Sequence, residues 1–387
     1  MKVCVFTGTR AEYGLLQPLM QALKDSPDFT LQILATGAHL SPEFGLTYTT
    51  IENDGFHIDE KVEILLSSDT PASICKSMGL GMGGFADSFS RLQPDLLIIL
   101  GDRYEAMAAA SAATVCRLPV AHIHGGEITE GAMDDSFRHA ITKMSVLHFT
   151  STEAYRQRVI QLGENPEYAF NVGALGVSNI RNLPLLKQEE LEKQINFRMG
   201  ENCLLTTFHP VTLENNTAGT QLEELFAALD NVDAQCIFTK ANTDTEGRII
   251  NSMIDEYVQK NPTRAIAFTS MGNLRYLSAM RCCGAVVGNS SSGILEAPSF
   301  GVPTVNIGDR QKGRTQAASV LNCNPQAQDI EKTLKKALFS DFRTVAKETI
   351  SPYEKTGTVE LIMAAIDTYK DKLNVQKHFY DIPITLE

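Results

Sequence analysis

The segment DLLIILGDRYEAMAAASAATVC, residues 95–116, shows the pattern that decides the fold. Its beginning, 95–100, is almost entirely apolar and lacks polar alternation, which is typical of a strand buried on both faces of a parallel sheet. A turn follows at Gly101-Asp102-Arg103, and the alanine-rich stretch Tyr104–Cys116 predicts a helix. Strand, turn and helix in this order form the repeating unit of a doubly wound α/β fold.

The same unit recurs along the chain. Further short apolar runs predict the strands Lys2–Thr7, Leu31–Ala35, Pro119–His124, Val146–Thr150, Cys203–Phe208, Ala234–Thr239, Arg264–Phe268, Gly284–Val287 and Pro303–Ile307. The helices predicted between them include Gly14–Lys24, Glu153–Leu162, Thr245–Lys260 and Asp329–Leu338. We therefore expect parallel strands that alternate with helices.

The repetition pauses once, where Gly, Asn and Pro cluster over Gly173–Leu186, and a polar helix is predicted over Gln188–Phe197. Such a pause is typical of a domain boundary. We predict an N-terminal Rossmann-like domain over 1–178, a second over 179–358, and a C-terminal helix and tail over 359–387. Ligands of open parallel sheets bind beyond the carboxyl ends of the strands, so the residues that follow each strand are the candidates for function.

The composition excludes some classes of partner. The 387 residues carry 34 Lys+Arg against 46 Asp+Glu, a net charge of −12, which argues against nucleic acid as the main partner. No run approaches the length of a membrane span, and the N-terminus lacks a signal peptide's apolar region, so we expect a cytoplasmic protein that does not enter membranes. The eight Cys lack metal-ligand spacing and are expected to be reduced thiols.

Groups that suit proton transfer follow the strands of the first half. Asp102 comes directly after the strand 95–100, where it either caps the next helix or takes part in catalysis. His122 and His124 are predicted to share one face of the strand Pro119–His124. Two glycines come next, and then Glu127. Together with Asp134, Asp102, His124 and Glu127 form a density of ionisable groups that favours a catalytic site.

Cations and helix starts in both halves suit a phosphorylated ligand. Arg10 lies in the turn after the first strand, and Arg138 follows Asp134; we predict that Arg138 contacts the substrate. In the second half, His209 follows one strand and the segment 288–296, GNSSSGILE, follows another. The segment 306–314 then places three cations in one loop. Serine hydroxyls, backbone N–H groups and these cations predict a diphosphate and nucleoside site, with Glu296 accepting from ribose hydroxyls.

One glycine motif is not expected to bind a cofactor. Residues 79–84, GLGMGG, have the GxGxxG spacing of dinucleotide sites. They follow a polar turn and a mixed stretch rather than a buried strand, so the βαβ setting of such sites is missing.

The motifs GTRAEYG, LGDRYE, HIHGGE with DDSFRHAITKMS, FHP, GNSSSG and NIGDRQKGR together resemble those of UDP-N-acetylglucosamine 2-epimerases, most of all the hydrolysing, sialic-acid-type branch. The resemblance runs over essentially the whole chain. It implies a GT-B-like fold, in which two Rossmann-like domains face each other across a cleft that holds the nucleotide. It also implies that the final helix, Val359–Lys372, crosses back to the N-terminal domain.

The resemblance assigns roles to individual residues. It implies that Asp102 and Asp134 serve catalysis and that Met271, in the loop 270–272, flanks the uracil. Residues implied to hold UDP are Arg10, Arg103, His209, Asn242, Ser290, Ser291, Glu296 and Arg310. Where many relatives have Glu in the HxxGG stretch this chain has His124, so either His124 or Glu127 takes the proton role of that Glu.

The implied reaction converts UDP-GlcNAc and water to ManNAc and UDP for sialic (nonulosonic) acid synthesis. It proceeds by anti elimination of UDP to a 2-acetamidoglucal and then hydration with inversion at carbon 2, without a metal or other cofactor. A second candidate is the same chemistry on UDP-2,4-diacetamido-2,4,6-trideoxyglucose, for legionaminic acid. Three further candidates are a metal-dependent hydrolase using His122, His124, Glu127 and His139, a GT-B glycosyltransferase, and a nucleotide-sugar sensor. We expect a homo-oligomer, either a dimer or a tetramer.

Overall fold

The computed structural model describes residues 1–68, 70–130, 132–211, 217–241 and 247–383. Within these residues the chain divides into two compact units. The first unit comprises Met1–Glu127, Asp134–Asn179 and the described residues from Lys355 onward, and the second unit comprises Ile128–Met133 and Ile180–Glu354. Each unit is built around one sheet of parallel strands.

The sheet of the first unit has the strand order β3-β2-β1-β4-β5-β6-β7, with every neighbouring pair parallel. Its strands are β1 (Lys2–Thr7), β2 (Thr30–Thr36), β3 (Glu60–Val62), β4 (Leu96–Leu100), β5 (Val120–Ile123), β6 (Leu147–Thr150) and β7 (Ala169–Asn171). Its helices are α1 (Arg10–Asp25), α2 (Tyr48–Asn53), α3 (Pro71–Leu92), α4 (Tyr104–Val115), α5 (Asp134–Met144), α6 (Glu153–Gln161) and α7 (Leu175–Asn182), which runs into the second unit.

The sheet of the second unit has the order β10-β9-β8-β11-β12-β13, again parallel throughout. The strands are β8 (Leu204–Thr207), β9 (Cys236–Thr239), β10 (Ala265–Phe268), β11 (Ala285–Gly288), β12 (Thr304–Ile307) and β13 (Val320–Cys323). The helices are α8 (Gln188–Ile195), α9 (Ala218–Asp230), α10 (Gly247–Lys260), α11 (Gly272–Cys282), α12 (Ser292–Leu295), α13 (Ala327–Leu338) and α14 (Ser340–Glu348). The last helix, α15 (Thr358–Tyr369), belongs to the first unit.

Burial explains why the strands are apolar without alternation. All five residues of β4 are buried, because helices cover both faces of the sheet. On one face, α1 contributes Leu16 and Leu19 to a core that α15 completes with Ile362 and Ile366. In the described part of the chain, no helix is long and apolar enough to cross a membrane.

The predicted α/β fold is confirmed, and each of the predicted strands is present with ends shifted by at most two residues. Three strands were not predicted from the sequence: β3, β7 and β13, which are three or four residues long and lie at the sheet edges. Helix α3, which contains the GLGMGG stretch, was not predicted either.

The glycines of α3 serve close packing. A Cβ atom on Gly84 would lie 2.5 Å from the Val62 side chain, and one on Gly81 would lie 2.9 Å from the Phe85 ring. The motif therefore lies inside a helix that packs against β3, not at the turn between a strand and a helix N-terminus where a dinucleotide would bind.

A cluster of charges around the buried Glu164 holds the C-terminal tail within the first unit. The Glu164 carboxylate accepts hydrogen bonds from Lys143 Nζ (2.5 Å) and Lys377 Nζ (2.6 Å). It also accepts from the ring N–H of His148 at Nε2 (3.0 Å). Burial alone would raise the pKa of Glu164, but the hydrogen bonds and charge of His148 and the two lysines outweigh it and lower the pKa to about 2.

Glu164→Gln should lower the free energy of unfolding at pH 7 by about 1–3 kcal/mol, because it removes the charge of a buried carboxylate that accepts from Lys143, Lys377 and His148. The depressed folded-state pKa stabilises the native state above about pH 4.5, and this stabilisation is lost as the pH falls toward 2. Urea unfolding across this range should therefore show a smaller pH dependence in the variant. Glu52→Gln is the control, since Glu52 and Lys61 form a half-exposed pair and the change should stay below about 1 kcal/mol.

Candidate functional site

In the first unit, candidate side chains follow three adjacent strands. Asp102 and Arg103 come after β4, His124 and Glu127 after β5, and Ser151 after β6. Because β4, β5 and β6 are parallel neighbours, their carboxyl ends lie along one edge of the sheet. Helix α5 begins at Asp134 and carries Arg138 one turn further on.

Arg138 is the hub of this group. Its guanidinium is only 2% exposed; it forms an ion pair with Asp102 and donates to Asp135 Oδ1 (3.1 Å) and to the main-chain carbonyl of Glu127 (3.0 Å). A buried guanidinium is stable only when it is paired and hydrogen-bonded. Arg138 therefore ties the turns after β4 and β5 to α5, which brings together Asp102, Glu127 and the helix that starts with Asp134.

Glu127 and His124 form a second pair. His124 Nδ1 lies 3.6 Å from Glu127 Oε1, and the hydroxyl of Ser151 donates to the same oxygen at 2.7 Å. All three side chains are buried. Two adjacent groups that bind protons, held by a neutral donor, form an arrangement suited to general acid–base chemistry.

The structure corrects the expected relation between His122 and His124. Strand β5 ends at Ile123, and His124 adopts a left-handed backbone conformation with φ of +67°, so the two histidines do not share a strand face. Gly126 is also left-handed, and a Cβ atom there would lie 2.4 Å from the carbonyl of Tyr155. The HIHGGE turn is thus shaped to bring its backbone against the start of α6 and to aim His124 at Glu127.

His122 has a structural role. Its Nε2 contacts the carbonyl of Gly101 at 2.7 Å and its Nδ1 contacts Thr142 Oγ1 at 3.1 Å. Burial lowers the pKa of His122 to about 3, so the ring is neutral and supports the turn that carries Asp102. His139, by contrast, lies on α5 with Nε2 3.5 Å from Asp135. Across the ranges that the structure describes, no three His, Cys, Asp or Glu side chains form a group that could hold a metal ion.

Arg10 and Arg103 lie in a separate group near the start of α1. Arg10 is the first residue of that helix and donates to Thr50 Oγ1, while Arg103 donates to Glu105 Oε2 at 3.2 Å. The Glu12 carboxylate accepts from the backbone N–H groups of Gly8 (2.7 Å) and Thr9 (3.3 Å). These two N–H groups are therefore engaged by the chain's own carboxylate, and burial raises the pKa of Glu12 to about 7.

In the second unit, Asn289 organises the candidate nucleotide residues. Its side chain accepts from the backbone N–H of His209 (2.7 Å) and donates to the carbonyl of the same residue (2.8 Å). Its own main-chain carbonyl accepts from Arg310 Nη1 (3.1 Å) and Gln311 Nε2 (2.8 Å). Asn289 thereby joins the segments that follow β8, β11 and β12 and brings His209, Ser290, Ser291 and Arg310 into one group.

Two further predicted residues, Glu296 and Met271, are buried in the second unit. Glu296 is buried directly after the short helix α12, and the buried Met271 precedes α11, where its carbonyl accepts from Arg275 Nε (2.7 Å). The cationic loop also contacts Ile128–Met133, since Arg314 donates to Thr129 Oγ1 and the N–H of Glu130 donates to the carbonyl of Lys312. Asn242 lies outside the residues that the structure describes.

A model of the family described as UDP-N-acetylglucosamine 2-epimerase matches residues 21–367 of the chain. The protein belongs to this family. A GDP/UDP-N,N'-diacetylbacillosamine 2-epimerase (hydrolyzing) from Campylobacter jejuni is 44% identical over 88% of each chain. Polysialic acid biosynthesis protein P7 from Escherichia coli is 37% identical over 99% of this chain and 98% of its own length.

Solved structures agree with the fold of this 2-epimerase family member. The UDP-GlcNAc 2-epimerase of Methanocaldococcus jannaschii, determined with UDP-GlcNAc and UDP, matches 95% of this chain and 100% of its own with a TM-score of 0.78 at 19% identity. The fold is accordingly the GT-B-like α/β type with two Rossmann-like units. The resemblance stated from the motifs is confirmed, and the chain is an enzyme of nucleotide-sugar metabolism.

Sequence reasoning missed residues of this 2-epimerase that support the candidate groups. Asn289 stood within the GNSSSG motif, but nothing in the sequence shows that its amide reaches the backbone of His209. Ser151 could have been found, because it directly follows the predicted strand Val146–Thr150 and the same rule had picked out Asp102.

Asn289→Ala should lower the free energy of unfolding by about 2 kcal/mol, because it leaves the N–H and carbonyl of His209 buried without their partners. Chemical denaturation measured by circular dichroism would detect this. Asn322→Ala is the comparison, since Asn322 is exposed and bonds the side chains of Asn306 and Gln316. Equal losses in the two variants would contradict the role given to Asn289.

Proposed function

We propose that this protein is a hydrolysing 2-epimerase that releases UDP and a free 2-epimerised acetamido sugar from a UDP-linked 2-acetamido sugar. The observation that carries the proposal is the group around Arg138, in which Asp102, Glu127 and His124 meet at one edge of a buried parallel sheet. Membership in the 2-epimerase family supports the same reaction.

The first step of the proposed reaction requires that the departing UDP be stabilised. The C1–O bond of the sugar breaks and its electron pair leaves with UDP, so negative charge develops on the diphosphate. We assign the diphosphate to Ser290, Ser291 and Arg310, which Asn289 holds together, and the nucleoside to His209, Met271 and Glu296. Preorganised donors of this kind stabilise developing charge because they need no rearrangement during the reaction. Arg10 and Arg103 are assigned to the nucleotide as well.

The second part of the elimination removes the proton from carbon 2. This proton has no adjacent carbonyl, but loss of UDP gives the ring oxocarbenium character and acidifies it. The base takes the proton, the C–H electrons form the C1=C2 bond, and a 2-acetamidoglucal results. Asp102 would lose its ion pair with Arg138 on accepting a proton, whereas a proton accepted by Glu127 or His124 can be shared within their pair, which favours that pair as the base.

Hydration completes the reaction. The oxygen of water adds to carbon 1, and a proton returns to carbon 2 from the opposite face, which inverts the configuration. We assign that proton to Asp134, which opens α5 one turn before Arg138. Acid and base groups on two sides of the sugar ring are what inversion at carbon 2 requires.

Two relatives suggest which UDP-linked sugar is the substrate. The 44% identity to a hydrolysing N,N'-diacetylbacillosamine 2-epimerase favours UDP-N,N'-diacetylbacillosamine, which is the 2,4-diacetamido-2,4,6-trideoxyglucose form. The 37% identity to a polysialic acid biosynthesis protein supports UDP-GlcNAc, with ManNAc as the product, as the second candidate. We propose the diacetamido sugar as the preferred substrate. We also propose a cytoplasmic location, with which the eight free cysteines are consistent. That the protein forms a homo-oligomer stays a prediction.

Incubation of the purified protein in deuterated water with UDP-N,N'-diacetylbacillosamine, its GDP analogue or UDP-GlcNAc tests the reaction and the sugar together. Mass spectrometry and NMR should find the free nucleoside diphosphate, UDP or GDP according to the substrate, and a free 2-epimer with deuterium at carbon 2. A higher kcat/KM for the diacetamido sugar is expected. A higher value for UDP-GlcNAc would favour the ManNAc assignment, and release of UDP without epimerisation, or no turnover of any of the three, would refute the proposed reaction.

Asp102→Asn and Glu127→Gln should each lower kcat by about 100-fold or more while the Kd for UDP stays within about threefold. Arg310→Ala should show the opposite pattern, weakening UDP binding by about 10-fold because it removes a positive charge from the assigned diphosphate site. Isothermal titration with UDP and steady-state kinetics separate the two patterns. Unchanged turnover in both carboxylate variants would contradict the site assignment.

A further inference from the structure

The turn after β6 carries a buried hydroxyl that the proposed reaction does not use. Ser151 directly follows β6 and is 1% exposed, and its Oγ donates to Glu127 Oε1 at 2.7 Å. This hydrogen bond and the contact from His124 Nδ1 converge on the same carboxylate oxygen. We propose that Ser151 is a positioning residue, which holds the Glu127 carboxylate in its ionised form and aims it for proton transfer; this inference rests on the proposed function.

The backbone around Ser151 is fixed independently of that hydrogen bond. The next residue, Thr152, caps α6 by accepting from the N–H of Tyr155. The carbonyl of Tyr155 lies so close to Gly126 that no side chain fits there, and Arg158 Nη1 donates to the carbonyl of Gly126 at 2.6 Å. The β6–α6 turn and the HIHGGE turn therefore pack as one piece, and the hydroxyl reaches Glu127 from a rigid support.

The hydrogen bond from Ser151 affects both the protonation and the orientation of the Glu127 carboxylate. A hydroxyl that donates to a carboxylate favours the charged form, so its loss makes the carboxylate easier to protonate. It also removes one of the constraints on the rotamer of Glu127, and small displacements of a base reduce the rate of proton transfer strongly. Because Ser151 acts through Glu127, its removal should affect kcat and its pH dependence, not the affinity for UDP.

Two variants of Ser151 distinguish the effect of losing its hydrogen bond from the effect of changing the packing around it. Ser151→Ala removes the donor, and Ser151→Cys keeps nearly the same volume but offers only a weak donor. Both should lower kcat by about 10- to 100-fold with KM within about twofold of wild type. In both, the acid limb of the kcat–pH profile should move up by about one pH unit, because the carboxylate is protonated more readily.

Ser145→Ala is the matched control. Ser145 is also a fully buried serine, and its hydroxyl donates to the carbonyl of Ile141 (2.7 Å) before β6 begins, at the other end of that strand. Its variant should keep the wild-type kcat and pH profile even if it is less stable.

The results distinguish a positioning role of Ser151 from a role in stability alone. A wild-type profile in Ser151→Cys or Ser151→Ala, or the same shift in Ser145→Ala, would overturn the positioning role. Loss of folded protein with an unchanged kcat per folded molecule would assign Ser151 to stability alone. Failure of the wild-type protein to turn over any nucleotide sugar would instead refute the proposed function, so the two failures are distinguishable.

Discussion

The buried guanidinium of Arg138 is the constraint on which the candidate catalytic site depends. A charge removed from water must find its partners inside the protein, and Arg138 finds them on three segments: Asp102 after β4, the carbonyl of Glu127 after β5, and Asp135 on its own helix. Asp102 lies 36 residues from Arg138 in the sequence, and Glu127 lies 11 residues from it. The requirement to pair one charge therefore fixes the relative positions of the turns that carry the candidate acid and base groups.

In the second unit a neutral amide has the corresponding role. Asn289 pairs with both backbone groups of His209 and offers its carbonyl to Arg310 and Gln311. The strands β8, β11 and β12 are adjacent in that sheet, so one residue between them can reach both neighbours. A neutral organiser adds no charge of its own, which suits a site proposed to receive a diphosphate.

The sequence allowed the fold to be predicted, because a strand covered on both faces is a continuous apolar run, and the end of such a run marks the edge where the candidate site was expected. Asp102, Glu127 and His209 were found in this way. The short edge strands β3, β7 and β13 were missed because three or four half-buried residues leave no distinct pattern. The left-handed backbone at His124 depends on packing that no local pattern records.

Position after a strand locates a residue, but its partners determine what it can do. Asp102 and Glu127 both follow strands of one sheet, and both are contacted by Arg138. Arg138 forms an ion pair with the side chain of Asp102 and donates to the main-chain carbonyl of Glu127, while the Glu127 carboxylate contacts His124 and Ser151. One carboxylate is thereby committed to an ion pair and the other is placed beside a second proton carrier. That difference favours Asp102 as a group that orients the proposed site and Glu127 as a group that exchanges a proton, and only the three-dimensional contacts express it.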